Sequence, residues 1–144
     1  MQLTTLLLAM YFMTGNGQSQ NLHDMFGIDM SKQMVTIETT AYYGPMKSEK
    51  NYKEAIKMNG KGLRTKSGTI PNVPSEKDFG TLSAETKNFP MGTKLYIPGY
   101  GLGKVEDTGG KIKGHCIDLY MGKGPHARKL AKKWGRQKII ALVM

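Results

Sequence analysis

The run Lys104-Val-Glu-Asp-Thr-Gly-Gly-Lys-Ile-Lys-Gly-His-Cys-Ile-Asp-Leu-Tyr120 constrains the fold more than any other stretch. It predicts two short strands separated by glycine turns. Val105 leads into Asp107, and Thr108-Gly109-Gly110 breaks the run. Gly114 breaks it again, and Cys116 to Tyr120 alternates with period two. Ile117 and Leu119 then face a core, while Cys116, Asp118 and Tyr120 face the other way. Short strands with a tight connection put Asp107 and Asp118 within about 10 Å, the range in which paired carboxylates do glycoside chemistry. Spacing alone does not decide their role. Asp107 before Thr-Gly-Gly is good local turn chemistry, and Asp118 fits an outward strand position.

The rest of the chain reads as scaffold around this pair. Val35 to Tyr42 alternates cleanly and predicts a strand, with Val35, Ile37, Thr39 and Ala41 on one side. Gly44-Pro45 ends it. Ser48 to Met58 predicts a short helix with Ser48 as N-cap and Gly60 after its end. Residues 61–78 carry Gly, Pro, Ser and Lys without periodicity and predict a long loop. Gly80 to Glu85 and Thr93 to Pro98 predict strands around the turn Asn88 to Gly92, and residues 99–103 turn into the Asp107 strand. Pro125 sits at a favoured first helical position, and His126 to Trp134 predicts an amphipathic helix with Ala127, Leu130, Ala131 and Trp134 as its apolar face. Gly135 stops it. Gln137 to Met144 predicts a final strand, central because Ile139 to Val143 is apolar throughout. The total is a mainly β chain of six short strands with one or two short helices, which favours a small closed barrel over a sandwich.

The chain has 144 residues, enough for one domain with a core of its own. A single cysteine, Cys116, excludes an intramolecular disulfide. Lys and Arg exceed Asp and Glu by 21 to 11, so the partners expected are anionic. The cations are scattered apart from the cluster Arg128 to Lys133, without the dense stripe of a dedicated nucleic-acid domain. Leu6 to Met13 is too short to span a bilayer and suits the h-region of a signal peptide, giving a leader over 1–19, a linker over 20–34 and a domain over 35–144. The protein is thus expected to be secreted or held in the cell envelope, without stable membrane insertion, and monomeric.

Other chemistries fail on spacing. His115 and Cys116 are strand neighbours and point to opposite faces, so they cannot pair as base and nucleophile. Three histidines and one cysteine, far apart in sequence, do not make a metal site. The glycines of 99–103 follow Pro98 and precede no helix, so they are not a dinucleotide loop. No cofactor is expected.

Several motifs fall in a fixed order: Thr39-Thr-Ala-Tyr42, Lys66-Ser-Gly68, Leu82-Ser-Ala-Glu85, Phe89 to Gly101, Val105-Glu-Asp-Thr-Gly-Gly110, Ile112-Lys-Gly114 and Ile117-Asp-Leu-Tyr120. Over roughly residues 36–144 the chain resembles the 3D domain of stationary-phase survival proteins, which is similar to the catalytic barrel of the membrane-bound lytic transglycosylase A family. The resemblance implies a double-psi β-barrel that cleaves peptidoglycan glycan strands and leaves 1,6-anhydromuramic ends. It implies Asp118 as acid and base, its pKa raised by burial and by the neighbouring carboxylate of Asp107. The family's first aspartate falls on Glu85, which would line the cleft. Thr40 and Lys66 are implied as sugar contacts, while for Tyr42 and Tyr100 stacking on sugar rings and packing in the core or rim both stay open. Two alternatives stay open: a non-catalytic glycan-binding barrel of the expansin or barwin-like kind, and a hydrolytic muramidase.

Overall fold

The computed structural model describes residues 33–54 and 64–144. The expected leader and nearly all of the linker lie outside these residues, as does the second half of the predicted helix with its Gly60 stop. The elements are β1 (Met34–Gly44), β2 (Gly80–Ala84), β3 (Lys94–Ile97), β4 (Gly101–Asp107), β5 (Cys116–Lys123), helix α1 (Gly124–Trp134) and β6 (Gln137–Val143).

Six strands close into a barrel in the order β1-β5-β2-β4-β3-β6, the small double-psi β-barrel that the strand pattern and the resemblance led us to expect. Two of its pairings, β1 with β5 and β2 with β4, are parallel and join strands far apart in sequence. The other four are antiparallel. Ile37, Leu82, Ala84, Leu95, Ile97, Val105, Ile117, Leu119 and Ala141 fill the interior and are buried. Each strand supplies these residues at alternate positions, as period-two patterning requires. Closure leaves no free edge, which answers the edge-strand problem of small sheets.

Helix α1 packs against β1 and β5. It starts with a proline in its first turn and ends at Gly135, whose φ of 64° lies in the left-handed region. Trp134 packs against the core, and its indole N–H donates to the buried Thr39 hydroxyl at 3.0 Å. Ala127 is buried, but Leu130 is 41% exposed and does not complete the predicted apolar face.

Three local expectations change. Residues 47–51 form turns, and of the predicted helix's described residues only 52–54 are helical, so Ser48 is not an N-cap. The Glu49 side chain takes the Met46 N–H and the Glu49 carbonyl takes the Tyr52 N–H, which organises turns there instead. Gly101 to Gly103 belong to β4, paired with Ile97 to Leu95, and the turn shrinks to residues 98–100. The loop before β2 is irregular as predicted, but it is fastened. Ser67 N–H donates to the Glu106 carbonyl, and Asn72 and Thr81 exchange hydrogen bonds. Thr81 also donates to Glu106, a buried carboxylate whose other oxygen meets Lys104 at 3.0 Å.

Gly103 marks where two strands press together. A Cβ there would sit 2.7 Å from the buried Leu82 side chain. Gly103→Ala is therefore expected to destabilise the barrel by about 1–3 kcal/mol through overpacking. A thermal melt followed by circular dichroism checks this, and an unchanged midpoint would show that Leu82 has room to move.

Candidate active site

The barrel's outer face over β1, β5, β2 and β4 carries the polar residues that alternate with the core. Register fixes their order. Asp118 stands opposite Thr40 on one side and Ser83 on the other, and Ser83 stands beside Asp107. Asp118 and Asp107 are thus two strand spacings apart, about 10 Å between backbones. The separation matches the expectation from sequence, but a strand lies between them. They are not two sides of one hairpin, because β4 and β5 do not pair.

Asp118 is not the solvent-facing carboxylate that alternation alone suggests. It is largely buried, and desolvation pushes its pKa above the usual carboxylate range. The Thr40 hydroxyl, donating to Oδ1 at 2.9 Å, and the Leu119 backbone N–H oppose that rise. Burial is the largest cause and Asp107 is not among the causes, so the elevation comes from the site's dryness and not from like-charge repulsion. Tyr120, also placed outward by alternation, is buried at 3% exposure.

Asp107 is held differently. Its Oδ1 accepts the backbone N–H groups of Lys66 and Thr108, each at 2.9 Å. Lys66 therefore serves this site through its main chain, while its side chain is exposed. The tight turn over 65–69 presents that N–H, closed by Thr65 N–H to Thr69 O and Gly68 N–H to Thr65 O.

Glu85 closes β2 and fastens the next loop. Its Oε2 accepts Gly114 N–H at 2.7 Å and the Asn88 side chain at 3.0 Å, and Lys113 lies 3.9 Å from Oε1. Asn88 also donates to Gly114 O. The carboxylate thus pins the connection between β4 and β5.

The two tyrosines part company. Tyr100 donates to the Tyr120 carbonyl at 2.9 Å and packs edge-on against Trp134, so it is a packing residue. Burial raises its pKa far above the ordinary tyrosine value. Tyr42 lies in the site, its ring 5.3 Å from that of Tyr120. Burial likewise holds its pKa well above the ordinary value, with Asp107 and Asp118 adding in the same direction.

Ser83, which sequence reasoning passed over, stands at the centre of the row and is only 5% exposed. The available signal was a lone polar residue between Leu82 and Ala84, but the partners that make it notable come from register. Cys116 shares the Asp118 face. Burial, with Glu38 adding to it, raises its thiol pKa and disfavours a thiolate. His115 stands edge-on to Phe89, away from it. Among the described residues no cluster of three or more His, Cys, Asp or Glu could hold a metal ion. A separate apolar cleft of about 480 Å³ lies between α1 and residues 73–74 and 99–100, and neither aspartate lines it.

Comparison with known proteins matches residues 82–143 to the family model of the 3D domain. The matched stretch runs from β2 to the end of β6. It is 27% identical over 90 residues to the cell wall-binding protein YocH of Bacillus subtilis (strain 168), a match covering 62% of this chain and 30% of that protein. It is 25% identical over 108 residues to the putative cell wall shaping protein YabE of the same organism, covering 74% of this chain and 22% of that one. The chain thus spans less than a third of the length of either relative. Among solved structures it is similar to Escherichia coli MltA with bound chitohexaose, at 20% identity and a TM-score of 0.44, covering 56% of this chain and 27% of that one. It is also similar to the lytic transglycosylase LtgG of Burkholderia pseudomallei, at 16% identity and a TM-score of 0.42, covering 55% and 26%. No helix among the described residues is long and apolar enough to cross a membrane.

The raised pKa of Asp118 has a thermodynamic consequence. The folded chain holds this proton more tightly than the unfolded chain. The group's contribution to stability is therefore greatest at low pH and falls as pH rises from about 4 through the raised value. Asparagine has no proton to lose. Asp118→Asn is expected to gain stability relative to wild type as pH rises over that window, measured as the difference in melting temperature. A difference that does not change with pH would contradict the burial of Asp118.

Proposed function

We propose that this 3D domain is a peptidoglycan lytic transglycosylase acting outside the cytoplasm, with Asp118 as its acid and base. The observation that carries the reading is the largely buried Asp118 on Thr40, kept protonable by desolvation and placed in a row with a second carboxylate. The 3D domain and the relatives named for cell-wall binding and shaping support the same substrate class. A surplus of basic residues suits the carboxylates on the peptides of muramic acid units.

The chemistry follows from one carboxyl group. Protonated Asp118 gives its proton to the glycosidic oxygen as the bond from C1 of muramic acid breaks. The electron pair of that bond leaves with the departing sugar, and positive charge develops at C1. The ionised Asp118 then takes the proton from the sugar's own 6-hydroxyl as that oxygen bonds to C1. The product carries a 1,6-anhydro ring and no water is consumed. A single group serves both half-reactions, and its elevated pKa suits the first of them. Asp107, fixed by two backbone N–H groups, offers negative charge toward the oxocarbenium-like centre. Thr40 orients Asp118. Glu85 contributes by holding the loop over 110–114, and Tyr100 by packing.

One relative's name favours a second reading. YocH is called a cell wall-binding protein, and a barrel that binds glycan without cleaving it would keep the same groove.

Substitution separates the two. Asp118→Asn should lower release of soluble muropeptides from purified peptidoglycan by about 10²–10⁴-fold, the usual worth of acid–base catalysis. Asp107→Asn should lower the rate too. It should leave the alkaline limb of the pH–rate profile in place, because Asp107 does not set the Asp118 pKa. Wild-type turnover in Asp118→Asn would remove the acid–base assignment. Retained wall binding with no release by the wild type would favour the binding module.

A further inference from the structure

One group beside the two carboxylates has no task in this scheme. The Tyr42 hydroxyl is shielded from solvent and has no hydrogen-bond partner among the described residues. Folds rarely retain a buried hydroxyl without a partner unless it has a use. Its surroundings narrow that use. Tyr42 follows Thr40 by two positions on β1 and so shares its face. The Ser83 hydroxyl lies close enough to act on the Tyr42 phenol, and Asp107, Asp118 and Tyr120 surround it. Ser83 is directly opposite Asp118 in one ladder and beside Asp107 in the next. Side chains opposite one another on one face have Cβ atoms about 5 Å apart, so Ser83 lies within a side-chain length of Asp118.

We infer that Tyr42 and Ser83 are positioning residues that form a hydrogen-bond relay to Asp118. Once Asp118 has given up its proton, Tyr42 Oη–H donates to Ser83 Oγ and the Ser83 hydroxyl donates to the Asp118 carboxylate. The inference deepens the transglycosylase reading and rests on it. The Thr40 hydroxyl and the Leu119 N–H already favour the ionised form of Asp118, against the pull of burial. Once its proton has passed to the glycosidic oxygen, a full negative charge stands in a largely desolvated place. A donor engaged only then strengthens as the transition state forms, which is the kind of interaction that raises kcat. Burial keeps the phenol of Tyr42 protonated, so it acts as a donor and not as a base. The relay itself makes and breaks only hydrogen bonds.

The test is a double-mutant cycle of Tyr42→Phe and Ser83→Ala in the full chain, assayed on purified peptidoglycan across pH. Tyr42→Phe deletes an oxygen that has no partner. Its melting temperature should hold or rise, while kcat falls about tenfold or more with KM little changed, as for a donor aimed at developing charge. Ser83→Ala should lower kcat at least as far, and the double variant should be no worse than Ser83→Ala, since a relay broken once is broken. The alkaline limb should move to higher pH in each variant, because ionised Asp118 has lost a donor. The titratable and charged groups around Asp118 are Cys116 and Tyr120 on β5, Tyr42 on β1 with Glu38 and its partner Arg136 beyond it, and Asp107 on β4. Of these only Tyr42 is altered. Additive losses, wild-type kcat in Tyr42→Phe, or a melting temperature that falls with the activity would each overturn the relay. If wild type cleaves no peptidoglycan, the transglycosylase reading has failed. The relay is then read from the Asp118 carboxyl titration by nuclear magnetic resonance. A higher value in both variants sustains it, and an unchanged value overturns it.

Discussion

The pairing of β5 between β1 and β2 is the constraint on which the site depends. It is parallel on one side and antiparallel on the other, and it joins segments separated by long stretches of sequence. That pairing buries Ile117 and Leu119 inside the barrel and sets Asp118 between Thr40 and Ser83 outside it. A one-residue slip would exchange the two faces, exposing the core residues and burying the carboxylate among hydrophobic side chains. The energy that holds the core thus also holds the geometry of the site.

Dryness, more than charge, sets the chemistry of that site. Asp118 is pushed toward its protonated form by desolvation, against the pull of Thr40 and a backbone N–H. Asp107 is fixed by backbone donors from its own turn and from the 65–69 turn. Two carboxylates in one row therefore have different surroundings, and different surroundings are how one site separates an acid from a charge stabiliser.

Much of this was legible in the residues. Period-two alternation located β1 and β5, turn punctuation and apolar runs located the other four strands, and Pro125 and Gly135 bracketed the helix. The carboxylate separation was also legible, although the hairpin assumed for it was not. Other features depend on partners that periodicity cannot supply. The burial of Asp118 depends on the neighbours that register brings beside it from β1 and β2. The use of Lys66 through its N–H comes from a turn docked on β4, and Ser83 stands out only once β2 is known to lie between β5 and β4. Glu85 shows the limit well: a carboxylate that motif matching assigns to the cleft spends its oxygens on Gly114 and Asn88, where the reach of glutamate is put to structural use.

In the proposed reaction Asp118 moves one proton out and one proton back, with the sugar's own hydroxyl as the nucleophile. Digestion of purified peptidoglycan by the wild-type protein in heavy-oxygen water, followed by mass spectrometry of the released fragments, tests this most directly. The account predicts 1,6-anhydromuramic ends that carry no heavy oxygen. Reducing ends labelled with heavy oxygen would contradict it, because they require water to have attacked C1.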